Sequence, residues 1–125
     1  MKQLVTLLTW LCQLGTAYIL VMAGLGKLEG SQMDIQTFSA LGMEPGGRII
    51  IGICELCAAV GLLHPISAAY AALLGAGVLT GAGLAHLGPL GPQGLEFFLP
   101  TYGALLFILI ARWKELPFSA TRTHH

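Results

Sequence analysis

Apolar residues run through this chain in four long blocks, broken by short segments rich in Gly, Pro or charge. Blocks of this kind, rather than one-sided stripes, are the pattern of helices that meet lipid. The first, Leu4–Leu25, spans about 33 Å as a helix, enough to cross a hydrocarbon core. It is longer than a signal-peptide h-region, and no clean small-x-small cleavage site follows, so it reads as a retained helix. The second runs Arg48–His64 and extends back to Pro45, a residue suited to a first helical turn because its missing N–H costs nothing there. The third, Ser67–Leu87, follows after a His64-Pro65-Ile66 turn, so these two form an antiparallel hairpin. The fourth is Leu95–Trp113, with Pro100 tolerated in its first turns.

The connections differ in character. Leu87–Gly94, with Gly88-Pro89 and Gly91-Pro92, reads as a tight loop. The longer Gly26–Gly47 segment contains Ser31–Met43, where Ser31 and Asp34 have capping-box spacing and Ile35, Phe38 and Leu41 recur at helical intervals. That predicts a short helix on the membrane surface or folded over the bundle mouth. The expectation is one all-α membrane domain over residues 1–125. It is an antiparallel four-helix bundle with spans near 4–25, 46–64, 67–87 and 95–113, and a short surface helix after the first.

Composition agrees. Charged residues make up 10% and hydrophobic ones 55%, against about 25% charged in a soluble domain. Mean hydropathy is +0.78. Six basic and six acidic residues give a formal net charge of zero, and no basic stripe interleaves with aromatics, which excludes nucleic acid as a partner. Lys2, Arg112, Lys114 and Arg122 flank the termini, whereas the long loop carries only Lys27 and Arg48. The positive-inside rule then places both termini in the cytoplasm. The final Thr123-His124-His125 resembles part of an expression tag and carries no weight here.

Against this background one residue stands out. Glu55 is a lone carboxylate in the apolar stretch Ile49–Leu63, and an intramembrane acid is costly enough to mark a functional site. It stays ionised there only with a cation beside it. Pairing helices 2 and 3 about Pro65 sets Glu55 level with Ala76 and Gly77, about 13 Å from the inner edge. Counting inward from the ends of helices 1 and 4 brings Gln13, Thr16, Tyr102 and Gly103 to the same layer. The result is an expected polar pocket, opening outward, with Lys27, Arg48 and His86 at its mouth and Glu55 at its floor. A direct Glu55–His86 hydrogen bond is disfavoured, because ten residues of offset separate them by about 15 Å.

Gly77 and Gly81 form a GxxxG pair that Ala85 continues, a pattern for close helix packing within the bundle or, more sharply, between two copies in a homodimer. Cys54 and Cys57 match C-x-x-C, but they lie well inside a span, where apolar surroundings favour the neutral thiol over a redox-active thiolate. Cys12 lies in another apolar block, so a disulfide framework is excluded. Two cysteines without matching ligands do not make a metal site, and none is expected.

Gly24-Leu25-Gly26-Lys27, Phe38 with Leu41-Gly42, Arg48 to Leu56 with Gly52 and Glu55, Gly61-Leu62-Leu63, Pro65, Gly81-Ala82 and His86 together resemble the DoxX-like family of small four-helix bacterial membrane proteins. The resemblance implies a four-helix fold in the bacterial inner membrane. The family's name comes from a subunit of a quinone-linked thiosulfate-oxidising complex, and a eukaryotic branch resembles assembly chaperones. It supplies no catalytic residues to carry over, and Cys54 and Cys57 fall outside its pattern. Three readings follow: a binding or accessory protein that holds a small amphipathic ligand such as a lipid or quinone, a quinone-linked oxidoreductase subunit within a membrane complex, or an assembly protein. The first is favoured, because no nucleophile–base pair, phosphate loop or cofactor fingerprint supports standalone catalysis.

Overall fold

A computed structural model describes residues 1–88, 91 and 95–113. The described residues form five α-helices: α1 (Lys2–Glu29), α2 (Gln32–Ala40), α3 (Gly46–Leu62), α4 (Ala68–Leu87) and α5 (Leu95–Ala111). The Pro89 and Pro92 positions of the expected tight loop lie outside the described residues. So do Lys114, Arg122 and the terminal histidines.

α1 is longer than its apolar block. Its 28 residues reach about 42 Å. It stops at Gly30, whose φ of 75° turns its N–H back onto the Gly26 and Lys27 carbonyls, a left-handed cap that glycine adopts without strain. Ser31 caps α2 through a bond from the Asp34 N–H to its Oγ at 3.2 Å. In a full capping box the acid would return to the backbone N–H of the cap residue. Here that N–H goes to Gly26 O, 3.0 Å away, while the Ser31 hydroxyl donates to the Asp34 carboxylate. Pro45 occupies the N-cap of α3, one residue before the helix rather than in its first turn. At the α3–α4 turn, Ser67 Oγ donates to Gly61 O at 2.8 Å.

α1 meets α3, α3 meets α4, α4 meets α5, and α5 returns to α1. The closest approach is α1 on α3. A Cβ on Gly24 would meet Gly52 O at 2.9 Å, and one on Gly52 would meet Gly24 O at 3.1 Å, so the two backbones touch. Ala58, Ala59, Leu62, Ala68, Ala72, Leu105 and Ile108 are fully buried where the helices converge. Small alanines let the backbones close, and three larger side chains fill the rest.

Unlike a water-soluble bundle, this one is apolar on its outer faces as well as in its core, and several of its polar side chains point inward. On α1, Thr9, Gln13 and Thr16 face inward, while Leu4, Leu7, Leu11, Leu14, Tyr18 and Met22 are exposed. On α3, Arg48 and Glu55 are buried and Ile49, Ile50, Ile53 and Val60 are exposed. In water, such a surface would be a continuous apolar patch far above what monomers tolerate. In lipid it is solvated, and the polar groups turn inward to find partners. By length and composition α1 and α4 are each able to cross a membrane.

Candidate functional site

Glu55 is 4% exposed, and it is not alone. Lys27 Nζ lies 2.8 Å from its Oε1. The pairing depends on the glycine crossing: the Lys27 Cβ would sit 3.1 Å from a Cβ on Gly52. Only a glycine leaves the lysine stem room to run down α3 by one turn. Helical side chains lean toward the N-terminus of their helix, which carries the ammonium away from the end of α1 and toward Glu55. The same ammonium is 3.8 Å from Asp34 Oδ1. One cation therefore ties α1 to both α2 and α3.

This pair lies on the wall of a cavity of about 640 Å³, well within the size range of small-molecule sites. α1 contributes Ile19, Leu20 and Ala23 beside Lys27. α2 lies across it with Met33, Asp34 and Phe38, α4 lines it with Gly77, Gly81, Ala85 and His86, and α5 adds Phe98 and Thr101. A mostly apolar chamber with a few convergent polar groups is the usual form of a site for an amphipathic molecule.

Glu55, Lys27 and His86 are thus brought together on one wall, without a hydrogen bond between Glu55 and His86. The His86 ring turns Nδ1 to Gly91 O at 2.9 Å, so Nδ1 carries a proton and donates. Arg48 is off the wall. Its Nε donates to both oxygens of Glu44 at 2.9 Å, and Nη1 donates to Lys27 O. It closes the end of α1 onto α3 instead of forming a rim.

Gln13, Thr16 and Tyr102 are also absent from the wall. Gln13 Nε2 donates to Leu62 O at 2.7 Å, and its Oε1 accepts from Arg112 Nε at 3.1 Å. The Arg112 guanidinium in turn stacks 5.5 Å over Trp10. Gln13 is thus level with Arg112, the residue assigned to the inner edge. A depth counted from Leu4 starts in the wrong plane: with Gly24 against Gly52 and Gln13 against Leu62, the layer of Glu55 on α1 falls near Leu20. Thr16 is buried against the helices below the chamber. Tyr102 stacks on Phe98 at 5.4 Å and shares a 3.3 Å hydroxyl contact with Thr80, in a separate recess between α4 and α5.

The small-residue row is a second correction. A Cβ on Gly77 or Gly81 would meet nothing within 4 Å. Within the chain Gly77 and Gly81 do not pack against another helix; with Ala85 they lie on the cavity wall. The glycines of α4 that do receive neighbours are Gly75, against Leu105, and Gly83, against Phe98. Cys12, Cys54 and Cys57 are free thiols, and none of them reaches the chamber.

Asp34 and Thr101 line the wall without being expected there, and Lys27 pairs with Glu55 rather than standing apart at the mouth. The signal in the sequence was charge: an acid inside a span needs a cation, and Lys27, at the end of the preceding span, has a stem long enough to supply one. The model of the DoxX-like family matches residues 11–111, the whole bundle except the first turns of α1. The chain belongs to the DoxX-like family. It is a small helical membrane protein of the DoxX type, and the matched stretch contains every residue of the chamber named above. No curated protein and no solved structure matches the chain.

Proposed function

We propose that this DoxX-like protein holds a small amphipathic molecule, a lipid or a quinone, in the chamber floored by Glu55, and does so as an accessory membrane subunit. α1, α3, α4 and α5 cross the bacterial inner membrane as an antiparallel bundle with both termini cytoplasmic, and α2 lies at the outer interface over the chamber. The apolar outer faces of the helices support the membrane setting. Lys2 and Arg112 at one end support the orientation through the positive-inside rule.

The observation that carries the binding role is the joining of a 640 Å³ apolar chamber to a buried ion pair. The cost of placing an acid and a lysine inside a bundle is hard to justify by stability alone, since apolar residues of similar size do as well or better. Empty volume beside them adds a further cost. A ligand whose tail meets Leu20, Val78 and Phe98 while its head meets Glu55 and Lys27 offsets both. Extraction of the purified protein followed by mass spectrometry tests this. Wild type is expected to retain a lipid or quinone in stoichiometric amount, and Glu55→Gln to retain much less. Equal retention by both removes Glu55 from the role.

A further inference from the structure

We infer that the head group this chamber selects is an ammonium. The inference rests on the binding role proposed above and narrows it. Among the described residues on the wall, two carboxylates, Glu55 and Asp34, face one cation, Lys27. The ammonium is 2.8 Å from the first and 3.8 Å from the second, so it is shared and leaning to one side. Arg48 is off the wall and committed to Glu44 and to Lys27 O. His86 is turned toward Gly91 through Nδ1. Leaving the imidazole out of the count, the described wall is one positive charge short.

Beside these mostly apolar walls that deficit is felt more than it would be in bulk water, because charge–charge interactions there are less screened. A ligand carboxylate or phosphate adds to the excess. A neutral head leaves it unchanged. An ammonium head cancels it, and the lysine makes the exchange possible: as Lys27 swings toward Asp34 on α2, one face of Glu55 is freed for the incoming cation. The Ser31 hydroxyl already holds the Asp34 carboxylate in place from the other side. The apolar wall then takes a single alkyl chain. The head could belong to a free alkylamine or to an aminophospholipid whose ammonium enters while its phosphate and chains stay outside the chamber.

The experiment measures binding to the full chain in nanodiscs with four probes: decylamine, decanoate, decylubiquinone and phosphatidylethanolamine. Decylamine is expected to bind at least about tenfold tighter than decanoate, and Asp34→Asn to remove most of that preference. Lys27→Gln, which deepens the deficit, is expected to raise decylamine affinity. Its thermal transition should rise more with decylamine than that of wild type, which keeps the test informative if this variant is unstable alone. Phosphatidylethanolamine binding with the same Asp34 dependence assigns the head to a membrane lipid; its absence assigns it to a free amine. Decylubiquinone binding without any preference for decylamine over decanoate overturns the inference and leaves the chamber's binding role standing. Failure of all four probes overturns both.

Discussion

Lys27 and Glu55 come from helices that cross at a pair of glycines, and their charged ends meet at 2.8 Å inside the bundle. The contact is one turn deeper than the Lys27 backbone, reached by a stem that passes over Gly52. Breaking it from one side should therefore cost more than removing it whole. Lys27→Met is expected to lower stability by about 3–5 kcal/mol, because it leaves a buried carboxylate uncompensated, and Lys27→Met with Glu55→Gln to recover much of that. Reversible unfolding in mixed micelles over the four-member cycle checks it. Additive losses would show that the two side chains do not interact.

The glycines divide into two classes with opposite predictions. Gly24→Ala places a methyl against Gly52 O and Leu56 Cγ, each 2.9 Å away, and is expected to cost about 1–3 kcal/mol. Gly77→Ala meets open space and should stabilise its helix by up to about 1 kcal/mol. Thermal unfolding of the two variants side by side gives opposite signs if α4 lines a cavity, and the same sign if it packs on a helix.

Gln13 joins the end of α3 to Arg112. Gln13→Leu leaves the buried Leu62 carbonyl without this donor and is expected to destabilise by about 1–3 kcal/mol. Retention of any bound lipid or quinone per folded molecule should not change, since Gln13 is off the chamber wall. That combination, read from unfolding and from mass spectrometry of the surviving fold, separates a structural polar residue from a ligand residue.

α2 depends on its cap. Ser31→Ala removes the acceptor for the Asp34 N–H and should cost the helix about 1 kcal/mol. Hydrogen exchange is expected to speed across Gln32–Ala40 while the core of α3 keeps its protection. Uniform acceleration would indicate that α2 and the bundle open as one unit.

Much of the architecture was legible before any coordinates. The four apolar blocks became α1, α3, α4 and α5, and the Ser31–Asp34 spacing located α2, because block length and capping chemistry are local. That Glu55 is an acid inside an apolar helix was legible for the same reason: its cost arises from its own charge and its own surroundings. What failed was level and facing. A count in residues fixes depth only if the starting plane is right, and the register of α1 on α3, with Gln13 at Leu62, puts Gln13 two turns away from Glu55. Gly77 and Gly81 carry a packing signature that cannot distinguish a helix from a hollow, since both need a missing side chain. The partner of Glu55 depended on which way a flexible lysine stem leans, which follows from the Gly24–Gly52 crossing and from nothing in its immediate sequence.

The central claim is that the hollow beside Lys27 and Glu55 holds a molecule, and filling it is the direct test. Gly81→Phe places a ring at the chamber wall without replacing either charged residue. Native mass spectrometry of wild type should show one bound amphiphile per chain, and of Gly81→Phe none, with helicity unchanged by circular dichroism. Equal occupancy in a folded Gly81→Phe protein would contradict the account.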